Sequence, residues 1–114
     1  MITTGKLLGI LFQSRDKMHI AHLQTTSFAE HKALGGYYDG ILDLTDKFAE
    51  VSFGRNKRTP IVIPESSIQD SVVHLKEMQK IIDEERENYS SELQNILDEM
   101  LALINKTLYL LTLS

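Results

Sequence analysis

Four carboxylates recur at helical spacing in the first half of the chain. Asp39, Asp43, Asp46 and Glu50 are separated by four, three and four residues, so in a helix they would share one stripe. No lysine or arginine stands on that stripe, and like charges four residues apart destabilise a helix by roughly 0.2–0.5 kcal/mol per pair. A bound cation or a basic partner would remove this cost. The alternative is an ordinary acidic face exposed to solvent, because rows of charge usually lie on the surface.

Three histidines lie just upstream of the carboxylate row, namely His19, His22 and His31. Imidazole together with carboxylate suits iron, manganese or zinc. The histidines and the row therefore indicate a candidate metal site, although a lone histidine is more often a polar packing residue. The fourth histidine, His74, stands apart from the others, and we interpret it as a structural or surface residue.

Apolar residues at three- and four-residue spacing predict that two helices carry these side chains. The first helix is expected over residues 4–23, and its apolar stripe includes Leu23. The second is expected over residues 28–53. It opens with a capping box, in which Ser27 and Glu30 each serve a backbone N–H group of the other.

Glycines at positions 35, 36 and 40 interrupt the second helical pattern. Each costs roughly 1 kcal/mol relative to alanine inside a helix. Three of them predict a bend or a close approach of another part of the chain, and not a helix face that only meets solvent.

The second half of the chain predicts two further helices after one longer connection, residues 54–64, which contains both prolines. These helices are expected over residues 67–88 and 91–112, with Asp70 in the capping position of the third. The third stripe consists of Ile68, Val72, Leu75, Met78 and Ile82, and the fourth of Leu93, Ile96, Leu97, Met100, Ile104, Leu108 and Leu111. Four such stripes predict an all-α fold, a four-helix bundle. The alternative is one continuous rod in place of the last two helices, because neither glycine nor proline separates them.

Composition narrows the class of protein further. The 114 residues fit one domain, residues 1–114, and the formal net charge of −4 makes nucleic-acid binding by direct electrostatics unfavourable. Cysteine is absent, which excludes thiolate metal sites and cysteine nucleophiles. No apolar stretch is long enough to span a bilayer. We therefore expect a cytoplasmic protein that does not enter membranes.

The block from His19 to Glu50 resembles the core of the mini-ferritins, the starvation-induced DNA-protection proteins of the ferritin-like superfamily. That family places two histidines twelve residues apart, as His19 and His31 are here. An aspartate follows the second histidine at plus fifteen and a glutamate at plus nineteen, the positions of Asp46 and Glu50. More loosely, the chain also resembles small phage proteins with a similar His-Lys-Ala-Leu and Tyr-Tyr-Asp block.

One departure from the mini-ferritin pattern concerns a ligand position. Leu34 and Gly36 match the family, but Gly35 replaces an aspartate that binds iron there. Asp39 lies one turn further on and is a candidate substitute. The lysine-rich N-terminal tail of some members is also absent. A degenerate relative, at most a weak ferroxidase, would fit these departures.

The resemblance implies a ferritin-like four-helix bundle and an inter-subunit site. His19 and His31 of one chain would face Asp46 and Glu50 of another, with His22, Asp39 and Asp43 as further candidate ligands. The cofactor would be iron, with zinc and manganese as alternatives, and the reaction would be the oxidation of Fe(II) by peroxide or oxygen.

The competing hypothesis is a non-enzymatic helical binding or regulatory protein that keeps the bundle without iron chemistry. Its partner would be a protein, or a small ligand held between subunits. Under either hypothesis we expect a homo-oligomer built from dimers, with Tyr37 and Tyr38 in the core or at the interface.

Overall fold

The computed structural model describes residues 2–67 and 69–113, and its regular elements in this part of the chain are all helices. The elements are α1 (Thr4–Gln24), α2 (Phe28–Arg55), α3 (Ser71–Glu85), a 3₁₀ turn (Arg86–Asn88) and α4 (Ser91–Leu111). Helix α2 packs against both α1 and α4, and α3 packs mainly against α4. The predicted all-α fold and four-helix bundle are confirmed.

The first two helices begin at side-chain caps that are visible in the sequence. The Thr3 hydroxyl accepts a hydrogen bond from the Lys6 backbone N–H at 3.1 Å, and the Ser27 hydroxyl accepts one from Glu30 at 3.2 Å. Each cap serves an N–H group that has no partner within its helix. These caps set the start of α1 and α2.

The third helix begins later than the sequence pattern predicts. Residues 66 and 67 are extended, and α3 starts at Ser71, because the Asp70 carboxylate accepts from the N–H groups of Val72 and Val73. The predicted stripe residue Ile68 lies outside the described residues. The α-helix also ends early, at Glu85, where the 3₁₀ turn takes over. The predicted break after residue 88 is present, so α3 and α4 are separate helices.

One bidentate ion pair joins the two helices across this break. Arg86 donates from Nε and Nη2 to the two carboxylate oxygens of Asp98, at 2.6 and 3.0 Å. The hydrogen bond from Arg86 lowers the pKa of Asp98 below its ordinary value. The planar guanidinium matches both carboxylate oxygens, so the pair links the 3₁₀ turn to α4.

The core lies between the inner faces of the helices. Its two largest fully buried side chains are Tyr37 and Phe48, both on α2. Helices α2 and α4 run antiparallel. This orientation places Arg55 3.1 Å from Glu92 and Lys47 3.6 Å from Glu99. None of the helices in the described part of the chain is long and apolar enough to cross a membrane.

The connection between α2 and α3 runs along α1 as an extended segment, residues 59–67, which we call the strap. A Cβ atom added at Gly5 would overlap the carbonyl oxygen of Pro60, and one added at Gly9 would overlap that of Val62. The Val62 N–H also donates to the carbonyl oxygen of Gly5 at 3.2 Å. Only glycine allows a backbone to pass so close to a helix.

Candidate functional site

His22 and His31 form a stacked pair where α1 turns into α2. Their ring centroids are 3.8 Å apart and the ring planes differ by 16°. Nδ1 of His22 lies 2.5 Å from the carbonyl oxygen of His31, and Nδ1 of His31 lies 2.8 Å from the carbonyl oxygen of His22. A carbonyl oxygen can only accept, so each Nδ1 carries the hydrogen. The two residues therefore join the helix ends by reciprocal side-chain to backbone bonds.

This arrangement leaves the second nitrogen of each ring available. Within the part of the chain that the structure describes, Nε2 of His22 and of His31 makes no hydrogen bond. In the neutral ring this atom carries a lone pair. Metal-binding histidines are commonly held in the same way, with the other ring nitrogen donating to a backbone carbonyl.

His19 does not join this pair directly. Its ring stacks on Tyr38, with centroids 4.1 Å apart and planes 9° apart, and its centroid lies 6.1 Å from that of His22. The guanidinium carbon of Arg15 lies 5.3 Å from the Tyr38 centroid. Tyr38 is half-buried in this aromatic cluster.

A shallow cavity of about 320 Å³ opens beside the histidine pair. It is lined by His22, His31, Lys32, Gly35, Gly36, Tyr38 and Asp39. The glycine in the mini-ferritin ligand position has a packing role here, because a Cβ atom on Gly35 would lie 3.2 Å from Cε1 of His22. Space beside Gly36 is open.

The acidic stripe lies away from the histidines. Asp39, Asp43, Asp46 and Glu50 are all exposed. At about 1.5 Å per residue, Asp46 and Glu50 lie about 22 and 28 Å along α2 from His31. Among residues 2–67 and 69–113, no group of three or more His, Asp or Glu side chains lies close enough to hold a metal ion. One chain therefore does not bring together the ligand set that the resemblance implies, and only Asp39 lies near the histidines.

Tyr37, predicted in the core or at an interface, lies entirely in the core of its own chain. Its hydroxyl lies 2.7 Å from Ser14 Oγ, which lies 2.7 Å from Nε2 of His74. If the tyrosine donates to Ser14, the Ser14 hydrogen is directed at Nε2, and every proton in the chain of bonds has an acceptor. Burial raises the pKa of Tyr37 well above its ordinary value. It also lowers the pKa of His74 to about 4, an effect that Lys17 reinforces and Glu77 opposes.

Sequence reasoning missed the buried partner of Tyr37. Ser14 stands in a polar run, Ser14-Arg15-Asp16, and nothing in its spacing indicates that it is buried. Gly5 and Gly9 did carry a readable signal, because small residues four apart on one helix stripe permit a close backbone contact.

Six large apolar side chains are exposed at one end of the bundle, and we call this surface the apolar end. Antiparallel packing brings the α1–α2 turn, the end of α4 and the start of α3 together there. Ser71 donates to Glu30 at 2.9 Å and so ties the start of α3 to the first turn of α2. The residues of the apolar end are 41–68% exposed and comprise Ile20, Leu23, Phe28, Val73, Tyr109 and Leu113. The prediction that Leu23 belongs to the buried stripe of α1 is wrong, because the side chain lies beyond the last core layer.

Comparison with known proteins decides the family. The model of a family described as being of unknown function, DUF5856, matches residues 22–111. The chain belongs to DUF5856. The DUF5856 match contains the His22–His31 pair and the acidic stripe, and it begins after His19. The matching family is not a ferritin family, so the mini-ferritin resemblance gains no support from it.

A phage protein is also similar to this DUF5856 chain. It is an uncharacterized 14.6 kDa protein from the mobD–ri intergenic region of Enterobacteria phage T4. The two are 29% identical over 111 residues, which covers 93% of this chain and 85% of the phage protein. No solved structure matches the chain. The looser resemblance to small phage proteins is thus supported.

Proposed function

We propose that this chain is a non-enzymatic helical binding protein that assembles with a second copy of itself through the apolar end. The observation that carries the proposal is the gathering of six large exposed apolar side chains at one end of the bundle. Apolar patches larger than a few hundred Å² are rare on monomers and usually mark interaction sites. The T4 relative makes a phage-encoded binding protein the natural context.

The size of the apolar end supports a dimer. An aromatic side chain presents roughly 150–250 Å² of surface and an aliphatic one less, so six side chains that are 41–68% exposed together present a few hundred Å². A standard interface buries about 800 Å² on each partner. The apolar end is therefore of the right order for the core of an interface between two copies.

The position of the polar groups also favours binding over catalysis. Ser14, Tyr37 and His74 form the one hydrogen-bonded chain of hydroxyl and imidazole groups among the described residues, and they are 0%, 0% and 5% exposed. A substrate would have no route to the Ser14 and Tyr37 hydroxyl groups, which are fully buried. Their arrangement serves packing, because buried polar atoms are stabilised when each has a partner.

Sedimentation velocity at micromolar concentration tests the dimer. We expect the wild-type chain to sediment as a dimer and a double variant, Leu23→Glu with Phe28→Glu, to sediment as a monomer with an unchanged helical spectrum. Ile63→Glu is the matched control, because Ile63 is 62% exposed but lies on the strap. A monomeric wild-type chain, or a double variant that remains dimeric, would refute the proposal.

Metal binding is a second candidate function, carried by the geometry of the His22–His31 pair. Both Nδ1 atoms are held by backbone carbonyls, and the Nε2 atoms are available at the shallow cavity beside Asp39. A complete site would need further ligands, which a second chain would supply. The mini-ferritin version would take them from Asp46 and Glu50 of the partner.

Isothermal titration with Zn(II), Mn(II) and anaerobic Fe(II) tests this second function and locates the ligands. His31→Ala should abolish binding in any version. Glu50→Ala should abolish it only if the site is of the mini-ferritin type, and should leave it unchanged if the histidine pair binds with Asp39. The Leu23/Phe28 double variant separates an inter-subunit site from one within a chain. Absence of binding to the wild-type dimer would eliminate metal binding as a function.

A further inference from the structure

A cavity of about 190 Å³ lies where the strap meets α1 and α3. Its apolar wall includes Ile10, Met78 and Ile81, and its polar residues include Lys17 and His74. The cavity is distinct from the histidine pair and from the apolar end. A cavity of about 150 Å³ lined by apolar side chains can hold a molecule the size of benzene, so this one is large enough for a small organic ligand.

The ammonium group of Lys17 belongs to a buried side chain. Lys17 is 7% exposed, and no carboxylate of the described residues lies within 4.0 Å of it. Its Nζ donates one hydrogen bond, to the Ser66 hydroxyl on the strap. An ammonium can donate three hydrogen bonds, so two donors of Lys17 stay available for a ligand. The site therefore has both the charge and the donors to bind an anion.

His74 supplies a second donor at the same cavity. When Tyr37 donates to Ser14 and Ser14 to Nε2 of His74, the arrangement that gives both hydroxyl hydrogens an acceptor, Nδ1 of the neutral ring carries the hydrogen. Nδ1 of His74 makes no hydrogen bond within the part of the chain that the structure describes. A ligand oxygen in the cavity would satisfy it.

The charges around the cavity limit what kind of anion it would accept. Glu65 and Glu77 also line it, but both are exposed, and Glu77 accepts a hydrogen bond from Gln69 at 3.2 Å. Their negative field opposes a dianion such as phosphate. A singly charged group pairs with Lys17 at less cost, and the apolar wall favours a hydrocarbon body.

We propose that this cavity binds a small monocarboxylate with a short apolar body, such as butyrate. Its carboxylate accepts from Lys17 Nζ and His74 Nδ1, and its hydrocarbon part contacts Ile10, Met78 and Ile81. The carboxylate replaces the Ser66 hydroxyl as the acceptor of the hydrogen bond from Lys17 Nζ. This site is formed by residues of one chain and does not depend on dimer formation.

Titration of the full chain with butyrate, followed by amide chemical shifts at constant ionic strength, tests the site. We expect saturable shifts confined to α1, α3 and the strap. Butyramide, the neutral isostere, should bind about tenfold more weakly or worse. Lys17→Met should weaken butyrate binding by about thirtyfold or more, as expected when one partner of a buried charge pair is removed. Lys80→Met is the control, because Lys80 is an exposed lysine on α3, and its variant should bind like the wild type.

A second variant keeps the test decisive if Lys17→Met fails to fold. Ser66→Ala removes the hydroxyl that competes for the ammonium, so it should bind butyrate as tightly as the wild type or several-fold more tightly. Equal affinity for butyrate and butyramide would overturn the proposal. So would butyrate binding that survives in a folded Lys17→Met, or no saturable shift in the wild-type chain at millimolar butyrate.

Discussion

Ser14 Oγ lies 2.7 Å from Nε2 of His74, and the two side chains are 0% and 5% exposed. The pKa of His74 is about 4 in this setting, below its ordinary value of 6.5. The unfolded chain therefore binds a proton at His74 before the folded chain does. His74 contributes stability above pH 6.5, and that contribution is lost as the pH falls toward 4. At about 1.4 kcal/mol per pH unit, the loss reaches about 3 kcal/mol.

Urea denaturation at pH 7.5 and pH 5 measures this effect. We expect the free energy of unfolding to fall by about 2 kcal/mol more in the wild-type chain than in His74→Gln, since the glutamine oxygen still accepts from Ser14 but does not titrate. The comparison removes the contributions of the other three histidines, which both proteins share. An identical fall in both proteins would contradict the assignment of His74 as a buried neutral base.

Gly9→Ala should detach the strap from α1. The new Cβ atom would overlap the backbone of Val62, which cannot rotate away as a side chain can, so we expect a destabilisation of about 1–3 kcal/mol. Trypsin should cleave the strap region faster, at Lys57 or Arg58. Gly36→Ala is the control, because nothing lies within 4 Å of its added Cβ and alanine favours the helix by roughly 0.5–1 kcal/mol. If Gly9→Ala is as stable as Gly36→Ala, the close contact is not present in solution.

The melting temperature should depend on protein concentration. A dimer that forms only in the folded state is stabilised by mass action, so raising the concentration from micromolar to millimolar should raise the melting temperature of the wild-type chain. The Leu23→Glu, Phe28→Glu double variant should show no such rise. A concentration-independent melting temperature in the wild type would be inconsistent with dimerisation through the apolar end.

Neutralising the acidic stripe should stabilise the metal-free protein. Asp46→Asn and Glu50→Gln each remove like-charge repulsion, which should raise the free energy of unfolding by roughly 0.2–0.5 kcal/mol per pair at low salt. Glu99→Gln is the contrasting control, because Glu99 pairs with Lys47 at 3.6 Å and its neutralisation brings no relief. Calorimetry at low and high salt would check this, and a gain that persists at high salt would argue against an electrostatic origin.

Much of the fold follows from local sequence signals, and the exceptions have physical causes. The starts of α1 and α2 are readable because Thr3 and Ser27 cap them. The start of α3 is not, because two serines upstream of Asp70 are equally good caps in isolation. One of them, Ser66, instead accepts from Lys17, a partner 49 residues away.

The candidate site was less predictable than the helices. Spacing grouped the histidines with the carboxylates, but periodicity only relates residues on one helix. The His22–His31 contact depends on the turn between two helices, and the burial of Tyr37 depends on Ser14 and His74 from two others. Leu23 has the right spacing for the core, but it lies past the point where the opposing helices end.

The close contact of Gly5 and Gly9 on α1 with the strap constrains the order in which the chain can fold during synthesis. Helices α1 and α2 meet through His22 and His31, which are close in sequence. Their contact can therefore form as soon as α2 leaves the ribosome. The surface of α1 at Gly5 and Gly9, in contrast, stays exposed to water until residues 60–62 have been translated. During that interval the nascent chain exposes the backbone of α1. This backbone is covered only when the strap, some fifty residues later in the sequence, packs against it.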